Sequence, residues 1–202
     1  MKSSFYFLLA LVLISCQSTT KKSSEQTAET EDSTYVQPPL LMDLFKWEEI
    51  GGAVWVYEGD EISVAQASST GYRITEDTYK DFHLKIDFFP DAIVNSGIFI
   101  RCLKNDSINA DNCYEINIWD EHVNQDFRTG AIVGKQVPIA KVETVGKWNT
   151  YEIKAKGKHI QAWVNGVQTA DYHEAEHRAG TIALQIFGDG MIRFRNLSIE
   201  PL

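Results

Sequence analysis

Beyond about residue 50, apolar and polar residues alternate with a period of two, in short runs broken by Gly and Asn. Successive side chains of a strand point to opposite sides, so this period predicts strands with one buried face. The runs are Ala53–Tyr57, Glu61–Ala65, Phe82–Phe89, Gly97–Cys102, Tyr114–Trp119, Trp148–Ala155, His159–Val164, Thr181–Phe187 and Met191–Ile199. Gly59-Asp60, Gly157-Lys158, Asn165-Gly166 and Gly188-Asp189-Gly190 supply the turns between them. The turns at Gly157 and Gly166 read as parts of a meander, and a short helix is predicted near Leu40–Phe45. No internal repeat and no long run of helical period is present. Many short strands with tight turns predict an all-β fold, an antiparallel β-sandwich.

Two of these strands have an unusual second face. In Asn95–Arg101, Ile98 and Ile100 share one side while Asn95, Phe99 and Arg101 share the other. In Tyr114–Asp120, Tyr114, Ile116 and Ile118 oppose Glu115, Asn117 and Trp119. Gln185 and Phe187 stand opposite in parity to Ile182, Leu184 and Ile186. A plain solvent face does not favour Phe and Trp beside Arg and Glu. Flat rings with planar amides, a carboxylate and a guanidinium are what a carbohydrate surface needs, for stacking and for binding hydroxyls. The structural alternative is a cross-strand ion pair between Arg101 and Glu115.

Charge and cysteines narrow the picture. The net charge of −9 offers no electrostatic footprint for nucleic acid. Three cysteines occur, at 16, 102 and 113. Cys102 and Cys113 flank a polar loop, and a disulfide there would contribute roughly 3 kcal/mol by loop entropy. Parity in a regular hairpin puts them on opposite faces, so a bridge requires a bulge; both outcomes stay open. Asp120-Glu121-His122 offers ligands for Ca²⁺ or another divalent ion through Asp120 and His122, or is a solvated turn. His173-Glu174-Ala175-Glu176-His177 has the letters of a zinc-protease motif but lacks the helical period that chemistry needs, so it reads as an exposed loop with at most an incidental metal site. Trp148, Asn149 and Trp163 read as core and turn residues, and the sequons at Asn105 and Asn196 carry little weight.

The N-terminus is a separate matter. Lys2 followed by the apolar Phe5–Ile14 reads as a secretory signal over residues 1–15, too short to span a bilayer. Leu13-Ile14-Ser15-Cys16 resembles a bacterial lipobox, which predicts acylation of Cys16 and a membrane contact through the lipid alone. Residues 16–37 are polar and read as a flexible tether, leaving 38–202 as one domain. Gln17, rather than Asp, after the Cys points to the outer membrane, with the domain in the periplasm or at the surface.

Nearly the whole of that domain resembles the 3-keto-disaccharide hydrolase family. The matching pieces are Trp55-Val56-Tyr57-Glu58-Gly59, Tyr79–Leu84, Asn95–Arg101, Tyr114-Glu115 with Asp120, Thr129-Gly130-Ala131, Gly146–Asn149, Trp163–Gly166, Gly180–Gln185 and Arg193–Asn196. The family usually has His shortly after the Leu-Gln pair, where this chain reads Ile186-Phe187-Gly188, and often Tyr where it reads Ile132-Val133. The resemblance implies a concanavalin A-like jelly roll and cleavage of glycosidic bonds in 3-keto-disaccharides or 3-keto-glycosides, by elimination and hydration. It implies Glu115 as base, Arg101 steadying an oxyanion and Asp120 orienting a metal or water, with Asn95, Phe99, Asn117, Trp119, Gln185 and Phe187 holding the sugar. The alternative is a glycan-binding lipoprotein without catalysis. Oligomeric state and the identity of any cofactor are left open by the sequence.

Overall fold

The computed structural model describes residues 47–103, 107–173 and 175–202, all within the compact unit Val36–Leu202. The leader, Cys16, the tether, the helix expected near Leu40–Phe45, and Asn105 lie outside the described residues. Ten strands form: β1 (Trp47–Glu58), β2 (Glu61–Thr75), β3 (Phe82–Pro90), β4 (Asn95–Cys102), β5 (Tyr114–Ile118), β6 (Asn149–Lys156), β7 (His159–Val164), β8 (Val167–Tyr172), β9 (Thr181–Phe187) and β10 (Ile192–Pro201). All pair antiparallel, in the order β5-β4-β9-β2-β10-β3-β6-β7-β8, with β1 added on β2. This is the all-β fold that the alternation predicts.

The sheet curls over its own core. Ile98, Ile116, Leu184, Ile186, Ile153, Ile160 and Phe194, drawn from six strands, pack in one buried cluster. Tyr151 Oη on β6 donates to the Asn117 carbonyl on β5 at 2.8 Å, although the two strands are not sheet neighbours. The core strands alternate almost without fault, buried against half-exposed, along β6 and β7. Removing their apolar faces from water, at about 25 cal/mol per Å², is the force that closes the sandwich.

β1 and β2 run longer than their apolar alternation indicates. The extra length is the first half of β1, which carries Gly51-Gly52, and the Ser-, Thr- and Gly-containing second half of β2, and their register shifts between Gly51 and Trp55. A Cβ on Gly71 would lie 2.1 Å from that of Ala53, so glycine is what lets the two backbones pass. β8 also goes beyond the alternation, because Thr169 and Ala170 are both buried and carry no clear period.

A second irregularity decides the cysteine question. Arg101 takes φ +52 and the β4–β9 register shifts between Phe99 and Cys102. That bulge turns Cys102 to the Phe99 side, where it forms a disulfide with Cys113 and packs with Ile74 and Ala183. Gly180 is required beside it, since a Cβ there would meet the Cys102 carbonyl oxygen at 2.2 Å.

Candidate functional site

Register places the unusual face in rows. Tyr72, Gln185, Gly97 and Asn117 align across β2, β9, β4 and β5. Ile74, Ala183, Phe99 and Glu115 form the next row, and Phe187 pairs with Asn95 on the other side. The rows floor a groove of about 280 Å³ lined by Asn95, Glu115, Asn117, Trp119, Gln185 and Phe187 among others.

The wall beside β5 comes from the chain that follows it. Asp120 lies just past the end of β5, and the chain turns back through a 3-10 turn, Gln125–Phe127. The returning segment pairs along β5: the Asn117 N–H donates to Ala131 O at 3.0 Å and the Val133 N–H to Glu115 O at 3.0 Å. Val133 and Phe127 thereby line the groove beside Glu115. Trp119 and His122 pack edge to face with ring centroids 4.4 Å apart, and His122 meets Phe127 at 5.5 Å.

Glu115 sits in this setting without partners. Its carboxylate accepts no hydrogen bond from the described residues, and burial pushes its pKa from the ordinary carboxylate range up to about 7. Gly97 lies beside it, where a Cβ would stand in ordinary van der Waals contact, 3.5 Å from Glu115 Oε1. Two amides beside it are half-used. Asn117 donates its Nδ2 to the Phe127 carbonyl, and its Oδ1 is buried with no partner. Gln185 Oε1 is likewise buried and unpartnered, while its side chain bonds Tyr72. A buried acceptor without a donor costs about 1–3 kcal/mol, so two of them in one groove mark positions where a ligand hydroxyl would be rewarded. His122 Nδ1 accepts the Asn124 N–H at 3.0 Å, which fixes the neutral tautomer with its proton on Nε2. Phe187, half exposed at the rim, offers a flat face for a sugar ring.

Three of the expected site residues lie elsewhere. Arg101 is fully buried and away from Glu115. The bulge at its own backbone turns it inward, where Nε and Nη2 donate to Lys80 O at 3.0 and 2.7 Å, Nη1 to Gly157 O at 2.8 Å, and Nη2 to Asp81 Oδ1 at 3.2 Å. It clips the end of β4 to two turns. Asp120 is also enclosed: Oδ2 accepts the Thr144 N–H at 2.5 Å, Oδ1 accepts Thr144 Oγ1 at 2.9 Å, and Arg128 approaches to 3.7 Å. Its oxygens are thus engaged by Thr144 beside Arg128, while His122 lines the groove. Phe99, 1% exposed, lies beneath Tyr72 as support for the floor, their rings edge to face at 5.6 Å. His122, expected as a metal ligand, lines the groove, and Val133 and Phe127 line it without having been singled out. The one available signal was the resemblance at Thr129-Gly130-Ala131, the segment that returns beside β5.

The profile of the 3-keto-alpha-glucoside-1,2-lyase-like domain matches residues 41–200. The chain belongs to this family. Among solved structures, a candidate glycosyl hydrolase of Parabacteroides distasonis superposes with a TM-score of 0.65 at 26% identity, covering 78% of this chain and all of that one. The carbohydrate-binding module CBM66 of Bacillus subtilis shares the fold at TM-score 0.58 and 18% identity, over 77% of this chain and 95% of that one. The β-glucanase of Bacillus licheniformis shares it at 0.56 and 12%, over 78% and 92%. No curated protein matches by sequence. Membership in the lyase-like family and the jelly-roll fold support a carbohydrate-related function. Phe187 occupies the region where members of this family usually carry His, and the groove's imidazole is that of His122.

Proposed function

We propose that this protein cleaves the glycosidic bond of 3-keto-glycosides by elimination, with Glu115 as the base. The observation that supports this most is a carboxyl with no protein partner, raised to a pKa of about 7, facing a groove with two unpartnered amide acceptors. A ketone at C3 acidifies the proton at C2. The Glu115 carboxylate takes that proton, the electron pair forms the C1–C2 double bond through the C3 enolate, and the C1–O bond breaks. The departing oxygen takes its proton from water while His122 Nε2–H hydrogen-bonds to it, and Asn95, which lines the groove, offers a donor to the enolate. Water then adds across the double bond, so that the net change is hydrolysis. A base poised near neutral pH suits this step. Asn117 and Gln185 receive sugar hydroxyls, and Phe187 and Trp119 stack on the ring. We further propose that the chain is anchored by a lipid on Cys16 with its domain in the cell envelope, probed by loss of radiolabelled palmitate incorporation in Cys16→Ala.

The resemblance in fold to a carbohydrate-binding module and the Phe at position 187 favour a second reading, glycan binding without turnover. Incubation with 3-keto-disaccharides and their unoxidised parents, followed by mass spectrometry, separates the two. The enzyme releases free sugar from the oxidised substrates only. Silence across the panel with ligand-induced thermal stabilisation would instead establish the binding reading.

A further inference from the structure

The sheet carries a second cluster of chemistry-bearing side chains, at the far end of β7 and β8. β7 and β8 pair Gln161 with Asp171 and Ile160 with Tyr172, and this register continued one step sets His159 across from His173. The two imidazoles stack, with centroids 4.0 Å apart and planes 18° from parallel. Asp171 lies two residues before His173 and therefore on the same face. Its Oδ1 is 2.5 Å from His159 Nε2 and 3.3 Å from His173 Nε2. One ligand atom from each residue thus falls within 4.8 Å of the others.

We propose that His159, Asp171 and His173 form a divalent transition-metal site, separate from the groove. Two imidazoles and one carboxylate suit Zn²⁺, Ni²⁺ or Cu²⁺ and not Ca²⁺ or Mg²⁺. Around a tetrahedral Zn²⁺ with bonds near 2.0–2.1 Å, neighbouring donors stand about 3.3 Å apart. The His173–Asp171 spacing already has that value, and the closer pair needs only side-chain rotation. The ligands come from paired strands, so little ordering is left for binding to pay. Their side chains are 35%, 40% and 65% exposed for His159, Asp171 and His173, which leaves an entry path and room for water as a fourth ligand.

A supporting residue is present. Gln136 Oε1 accepts the Asp171 N–H at 2.9 Å, and Gln136 Nε2 donates to the Asp171 carbonyl at 3.3 Å. Gln136 also closes the turn with Ile132, whose neighbour Val133 lines the groove. An ion here ties the start of β7 to the end of β8, and Gln136 joins that end to the chain that walls the groove. The zinc-protease letters are not the site: His177 points elsewhere, with Nε2 3.0 Å from Asp111 O and its ring against Tyr114.

The test is Zn²⁺ titration by calorimetry of the purified full chain after treatment with a chelator. One equivalent binds with micromolar or better affinity, and Ca²⁺ shows no binding. His159→Ala and His173→Ala each weaken Zn²⁺ roughly 100-fold or more, and Gln136→Ala, which frees only the Asp171 main chain, weakens it less than either. His177→Ala leaves binding intact. Thermal unfolding rises with Zn²⁺ in the unmodified chain and not in His173→Ala, a substitution at an exposed side chain that leaves the fold in place. Binding weaker than millimolar, binding that survives both His159→Ala and His173→Ala, or binding lost in His177→Ala would overturn the proposal.

Discussion

Glu115 and Asp120 are carboxylates five residues apart, one on β5 and the other just past its end, and their surroundings are opposite. Asp120 accepts from the backbone and hydroxyl of Thr144 and lies beside Arg128, so its charge is compensated within the protein. Glu115 is largely withdrawn from water, accepts nothing from the described residues, and has a pKa displaced to about 7. The same contrast separates Arg101, which spends its guanidinium on three carbonyls and a carboxylate, from the amides of Asn117 and Gln185, which each leave an oxygen idle. Buried polar groups that are satisfied hold the fold. The two unpartnered amide acceptors, Asn117 Oδ1 and Gln185 Oε1, share one groove with Glu115, and there the protein has kept interaction energy for something else.

Substitutions sharpen this contrast, and the largest effect falls on chemistry. Glu115→Gln lowers kcat/KM for a 3-keto-glycoside by about 10²–10⁴-fold while sugar binding persists, read by product formation and by ligand-induced thermal shift. Next comes Arg101→Ala, which strands the Lys80, Gly157 and His177 carbonyls and removes the cation beside Asp81, and costs about 3–5 kcal/mol in urea unfolding. The folded fraction of that variant keeps its turnover, because Arg101 touches nothing in the groove. Asp120→Asn costs about 1–3 kcal/mol by weakening the tie to Thr144, and raises KM as the wall carrying His122 and Phe127 loosens.

A subtler difference appears with pH. Glu115 binds its proton more tightly folded than unfolded, so folding is favoured below the unfolded carboxylate pKa, and stability falls as pH rises from about 4.5 through about 7. The loss, discounted for the group's partial exposure, is about 1–3 kcal/mol. Glu115→Gln removes it, so the variant and the parent converge in stability at low pH and the variant is the more stable above pH 7, as chemical denaturation across the pH series will show. In the same range kcat/KM rises with an apparent pKa of about 7, since the base must be ionised.

The sequence makes the strands legible because burial imposes a period of two, and nine of the ten strands contain a run that alternation picks out. β8, the first half of β1 and the second half of β2 escape it; Gly51 and Gly71 serve close approach of the β1 and β2 backbones rather than a core face, and β8 buries Thr169 and Ala170 together. The groove face is readable in the same way: Asn95, Glu115, Asn117, Trp119, Gln185 and Phe187 share parity on regular strands and end in one groove. Arg101 and Phe99 show where parity fails. One residue in the left-handed region reverses the sense of everything after it, which sends Arg101 inward and brings Cys102 onto the disulfide side. Alternation says which side Phe99 takes and nothing of Tyr72 lying over it. Asp120 and His122 lie past the strand's end, where no period applies, and only the fold of the loop assigns one to the frame and the other to the groove.

The central claim is that Glu115 is a carboxyl left uncompensated for use, and its own titration tests that most directly. Side-chain carboxyl carbons labelled with ¹³C, followed by NMR from pH 3 to 9, with Glu115→Gln assigning the resonance, give its pKa in the folded protein. The account predicts a midpoint near 7 that moves when a sugar ligand fills the groove. A midpoint in the ordinary carboxylate range near 4.5, unmoved by ligand, would show a solvated side chain and contradict it.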